Sequence, residues 1–129
     1  MLLKKLWPAL VWALFILALC ALPGSAIPQL SFLDWLKPDK IVHLVLFGVL
    51  SFLLIRGLAG YEINSVWTNY PKTFSVIAAS LYGVFVELLQ EYFFEDRHGD
   101  VYDSIADALG AVTGLWFYNY RIKRIRKTA

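Results

Sequence analysis

Four stretches of this chain are apolar for long enough to cross a lipid bilayer. They run from about Leu6 to Leu22, Ile41 to Leu58, Phe74 to Phe93 and Tyr102 to Tyr120. Each approaches the roughly 17–25 residues that a spanning helix needs at ~1.5 Å of rise per residue. Pro23, Gly24, Pro28, Pro38 and Pro71 fall between the stretches, where they mark helix boundaries. Pro8 falls in the first turn of its stretch, where the missing N–H costs little. The pattern predicts an all-α fold, an integral membrane four-helix bundle forming one domain over residues 1–129.

Composition and charge give that bundle an orientation. The chain is 59% hydrophobic and only 17% charged, outside the usual soluble range. Its single cysteine, Cys20, excludes an intrachain disulfide. With four crossings, Lys4, Lys5, Arg56, Lys72, Arg121, Lys123, Arg124, Arg126 and Lys127 share one side, and only Lys37, Lys40 and Arg97 the other. The positive-inside bias then makes both termini cytoplasmic. Trp35, Trp67, Tyr70, Tyr92, Tyr102, Tyr118 and Tyr120 cluster near helix ends, as interfacial aromatics do. The tail Arg121–Lys127 reads as an orientation anchor with some attraction to anionic lipid, and no nucleic-acid partner is expected. Lys4-Lys5, an apolar run and Gly24-Ser25-Ala26 also resemble a secretory signal. An uncleaved anchor is the reading preferred here, and either way the second helix starts outside. The segment Tyr61–Tyr70 reads as a polar cytoplasmic loop, with Glu62 and Asn64 solvated.

Against this apolar background stand Asp39, His43, Glu87, Asp103 and Asp107. Ionisable groups at membrane depth are costly and usually face a bundle interior or cavity, where they function. The predicted topology carries all of them to the outer end of their helices. Asp39/His43 and Asp103/Asp107 are i,i+4 pairs, and Glu87 and Gln90 are three apart, so each set shares a helix face. Small residues continue the stripes inward: Ala79 and Gly83 on the third helix, Gly110 and Gly114 on the fourth. Small residues let helix backbones approach closely in lipid, so the third and fourth helices are expected to pack tightly there.

The ordered set Asp39-Lys40-x-x-His43-x-x-x-Phe47, Gly83-x-x-x-Glu87-x-x-Gln90, Arg97 and Asp103-x-x-x-Asp107-x-x-Gly110-x-x-x-Gly114 resembles the VanZ-like family of small bacterial membrane proteins. The resemblance covers about Asp39 to Gly114. It implies a place in the bacterial cytoplasmic membrane, action on the cell envelope from the outer face, and a link to glycopeptide (teicoplanin) resistance. It leaves the reaction, if any, undefined. Family members often carry asparagine where Asp107 stands and a proline-containing turn where Glu95-Asp96 stand, so an extra carboxylate is a feature of this chain.

Three function classes remain open. The first is binding or translocation of a lipid-linked envelope component, with Arg97 and His43 toward a phosphate. Asp39, Glu87, Asp103 and Asp107 would repel that anion, so a bridging cation or protonated carboxyls are required. The second is a metal-assisted outer-leaflet enzyme acting on a lipid phosphate. Clustered carboxylates and a histidine suit Mg²⁺, Mn²⁺ or Ca²⁺, with Glu87 or His43 as general base. The sequence carries no nucleophile motif and no phosphate-cradling glycine loop to mark a catalytic centre. The third is structural, with Asp39, His43, Glu87, Gln90, Arg97 and Asp107 bonding between helices to lock the bundle. Asp39 also suits an N-cap, and the run Glu91–Asp100 reads as a solvated outer loop. Oligomeric state is not legible from the sequence.

Overall fold

Proline, capping side chains and apolar length set the boundaries of the helices. The computed structural model describes residues 2–23, 38–60 and 65–128. Its elements are α1 (Leu2–Cys20), α2 (Pro38–Ala59), the single turn α3 (Val66–Asn69), α4 (Pro71–Phe93) and α5 (Val101–Thr128). Gly24, Ser25, Ala26, Pro28, Trp35, Lys37, Glu62 and Asn64, which entered the sequence reading, lie outside the described residues.

Pro71 sits in the first turn of α4, where a fixed φ helps and no N–H is missed. The turn α3 lies in a segment expected to be loop. Ser65 accepts from the Thr68 N–H while the Thr68 hydroxyl accepts from the Ser65 N–H, a reciprocal capping box. At the start of α5, the carboxylate of Asp100 accepts from the Tyr102 N–H at 2.8 Å, an N-cap bond.

Among the described residues, three helices are long and apolar enough to cross a membrane: Leu3–Cys20, Asp39–Ala59 and Pro71–Phe93. The longest helix, α5, falls short of that standard because it carries Asp103, Asp107 and the basic run from Arg121. It also continues eight residues beyond the predicted end at Tyr120, to Thr128. A basic stretch ends the apolar pattern without ending the backbone hydrogen-bond ladder.

The end of α1, the start of α2, the end of α4 and the start of α5 meet at one end of the molecule. Gln90 of α4 donates to the Cys20 carbonyl, and His43 of α2 bonds Asp107 of α5. At the opposite end Lys5 of α1 donates to the carbonyl of Gly60, just past α2. The core between them is small: Ile16 of α1, Phe47 and Leu50 of α2, Ala79 and Val86 of α4, and Ala111 of α5. Trp12 and Tyr82 fasten α1 by donating to the Leu46 and Ala13 carbonyls at 2.9 and 2.7 Å.

The closest helix packing departs from expectation. Gly110 and Gly114 of α5 pack against α2, not against α4. A Cβ at Gly110 would collide with the Leu44 carbonyl, and one at Gly114 with the Gly48 carbonyl. Gly48 returns the contact, its Cβ position lying 3.2 Å from the Gly110 carbonyl. Glycine at three facing positions lets two backbones touch, which explains why α2 and α5 share the most extensive interface. Gly83 of α4 does face α5, but what it admits is a side chain: a Cβ there would stand 2.5 Å from Asp107 Oδ2. The outward faces are apolar on every long helix, with Leu14, Val45, Leu81 and Leu109 among the exposed large side chains.

Candidate functional site

The end where α1, α2, α4 and α5 meet gathers the ionisable residues. Asp107 sits on the α5 face that passes Gly83 and is fully buried, at 0% exposure. Its Oδ1 lies 2.9 Å from His43 Nδ1. His43, one turn into α2, stacks on Phe47 with ring centroids 6.3 Å apart, so its ring is held from two sides. Glu87 of α4, at 6% exposure, places Oε1 3.9 Å from the same imidazole nitrogen. Its Oε2 accepts the Asp100 N–H at 2.8 Å, fixing the carboxyl plane.

Two oxygens in this group have no hydrogen-bond partner among the described residues: Glu87 Oε1 and Asp107 Oδ2. Buried polar atoms are nearly always paired, because leaving one bare costs its full desolvation. These two are therefore the chemically conspicuous atoms of the site.

Toward the surface the pattern becomes ionic. Lys40 Nζ bonds Asp100 Oδ2 at 2.7 Å and Asp103 Oδ1 at 2.5 Å, lies 3.6 Å from Asp39 Oδ2, and stands over the Tyr102 ring. Asp39, Glu87, Asp100, Asp103 and Asp107 thus surround one lysine and one histidine, leaving a formal charge of four negative with the imidazole neutral. An apolar-walled cleft of about 300 Å³ opens beside Glu87 between α4 and α5, lined by Val84, Leu88, Tyr92, Asp100 and Ser104. The arrangement can bind a cation or exchange protons. An anion enters it only with positive charge of its own.

Of the residues predicted for this site, the structure brings together His43, Glu87, Asp103 and Asp107. Asp39 sits at the rim with its side chain 58% exposed, in the first turn of α2 and not at its cap. Gln90 and Arg97 turn away from the cluster. Gln90 donates to the Cys20 carbonyl at 3.1 Å, and Arg97 Nε to the Leu22 carbonyl at 3.1 Å. The first is a carbonyl that the end of α1 leaves without an intrahelical partner, and the second lies two residues past that end. Replacing Gln90 with methionine is accordingly expected to lower the melting temperature by a few degrees, the loss of one hydrogen bond worth ~1 kcal/mol. Differential scanning fluorimetry checks this, and the same variant should keep any activity that depends on Glu87.

Two members were missed. In the sequence Lys40 figures only in the charge balance and in a motif, and Asp100 only as part of a loop. The signal for Asp100 was its place immediately before an apolar-periodic run, an N-cap position. Gly99 completes the loop by donating its N–H to Glu91 Oε2 at 2.8 Å.

A family model described as VanZ/LLP1 matches residues 8–124. No curated protein and no solved structure matches the chain.

Proposed function

The chain belongs to the VanZ/LLP1 family, and from that premise we propose a bacterial cytoplasmic-membrane protein crossing four times, with both termini inside and its polar site at the outer face. The role we infer is to bind, or move between leaflets, a lipid-linked component of the cell envelope, and thereby to lower susceptibility to teicoplanin.

The observation that carries the reading is the buried group His43, Glu87 and Asp107, with two carboxylate oxygens unpartnered among the described residues and a cleft opening sideways beside it. A lock built only for stability would pair those oxygens. A cleft between two apolar helix faces is the way a lipid head group reaches such a site from the membrane plane. Four crossings are supported by α5 itself: its two acids point to the interior or the rim, while Ile105, Leu109, Val112, Trp116 and Phe117 are exposed. Orientation is supported by the far end, where Lys72, Lys123 and Arg126 line a cavity of about 460 Å³ suited to anionic lipid of the inner leaflet.

The test is teicoplanin susceptibility of a sensitive host expressing the wild type, Glu87→Gln or Asp107→Asn, with membrane abundance and thermal stability measured in parallel. Wild type is expected to protect, and both variants to lose most of that protection while remaining abundant and folded. Protection that survives both substitutions would return the cluster to a purely structural role.

A further inference from the structure

We propose that His43, Glu87 and Asp103 form a binding site for one divalent cation of the Mn²⁺ or Zn²⁺ class. The proposal deepens the reading above. It supplies the positive charge without which five carboxylates would turn an anionic head group away.

Geometry comes first. One donor atom from each of the three residues lies within 4.8 Å of the other two. Ligands bonded at ~2.1 Å to a common ion stand roughly 3.0–4.2 Å apart, depending on their mutual angle. The set therefore needs only a small contraction, within reach of side-chain rotation. The three residues come from α2, α4 and α5, so one ion would join three helices at the same end.

The bare oxygen is the second, independent observation. Glu87 Oε1 is buried, has no hydrogen-bond partner among the described residues, and lies 3.9 Å from His43 Nδ1. Its sister oxygen is held by the Asp100 N–H, which keeps Oε1 aimed inward. The ring of Phe47 and the carboxylate of Asp107 fix the imidazole in advance. Asp107 holds Nδ1, so the ion would either take Nε2, with Asp107 as the carboxylate behind the ligand histidine, or displace Asp107 from Nδ1, the nitrogen nearer Glu87 Oε1.

Donor chemistry selects the ion. One imidazole with two carboxylates suits Mn²⁺ and Zn²⁺, while Ca²⁺ asks for six to eight oxygens. The cleft beside Glu87 provides a path inward. Lys40, now bonded to Asp103, is the resident cation that an arriving ion displaces.

The decisive experiment uses the full chain, purified with a tag free of histidine, stripped of metal and placed in nanodiscs of zwitterionic lipid. Mn²⁺ is titrated with free ion followed by electron paramagnetic resonance, and Zn²⁺ by calorimetry. The expected result is one ion per chain at micromolar affinity, weakened at least tenfold by Glu87→Gln and by Asp103→Asn, and unchanged by Glu95→Gln in the adjoining loop. Melting temperatures accompany each titration; Asp103, at the rim, serves if Glu87→Gln fails to fold. Binding no tighter than millimolar, or binding that ignores both substitutions, overturns the proposal. Ion binding without teicoplanin protection would leave the cation site and remove the envelope role. Protection that depends on Glu87 without ion binding would do the reverse.

Discussion

Gly114→Leu is expected to lower the melting temperature of the detergent-solubilised protein by about 10 °C, the largest stability effect of any single change at the helix contacts. The reasoning starts from the solvent. Lipid tails are as apolar as leucine, so helices in a membrane associate through close packing and not through hydrophobic exclusion. At Gly114 even a Cβ would run into the Gly48 carbonyl, and Ser51 Cβ stands 3.1 Å away on the same side. The obstruction is backbone, which cannot swing aside, so α2 and α5 must separate. Overpacking typically costs about 1–3 kcal/mol, and the upper end applies where nothing yields. At roughly 2–4 °C per kcal/mol for a chain of this size or somewhat larger, that converts to about 10 °C. Gly60→Ala is the control. Its Cβ would meet nothing closer than 3.5 Å, and its melting temperature should match wild type. Equal effects at the two positions would mean that the α2–α5 contact is not the one the glycines make possible.

Lys40→Met is expected to act in two directions at once. Without added metal it should destabilise the protein by about 1–2 kcal/mol, because Asp100 and Asp103 lose their common partner. The Coulomb energy of such a pair reaches ~4 kcal/mol at an effective dielectric of 20, but Lys40 and Asp100 both touch solvent, which discounts it. Their side chains are 20% and 41% exposed. With Mn²⁺ present the same substitution should tighten binding at least tenfold, since the ion no longer competes with an ammonium for Asp103. Thermal melts with and without Mn²⁺ read both effects in one series. A Lys40→Met protein that binds Mn²⁺ more weakly would make the lysine a partner of the ion and not its rival.

The contrast between these two residues shows what the sequence could and could not reveal. Helix placement was legible because each apolar run had to be long enough for a bilayer. The α2 and α4 boundaries moved outward by only a few residues, to Pro38–Ala59 and Pro71–Phe93. The tail beyond Tyr120 was missed because hydropathy reports the end of an apolar run and not the end of the helix. The gathering of His43, Glu87, Asp103 and Asp107 at one end was legible from ionisable residues standing at equal depth, while the particular His43–Asp107 bond was not. The choice between Asp39 and Lys40 did not. The two are neighbours about 100° apart on one helix, and only the rotation of α2 against α5 decides which one reaches across. Gln90 and Arg97 were misplaced for a related reason. Their partners are the carbonyls of Cys20 and Leu22, and a backbone carbonyl leaves no trace in the pattern of side chains. The partner of the Gly110–Gly114 pair was equally hidden, because the small residue answering it on α2 is the lone Gly48.

Asp100 gives the short connection between α4 and α5 a property unusual for a loop. Connections at a protein surface generally accept insertions and deletions. Here one residue spends its N–H on Glu87, one carboxylate oxygen on the Tyr102 N–H and the other on Lys40. Adding or removing a single residue between Phe94 and Asp100 would shift all three bonds together, leaving a second buried glutamate oxygen bare and the first turn of α5 uncapped. The spacing of this loop is therefore as much a part of the site as its side chains, and an epitope or fluorophore meant to leave the protein intact belongs on the basic tail at the other end.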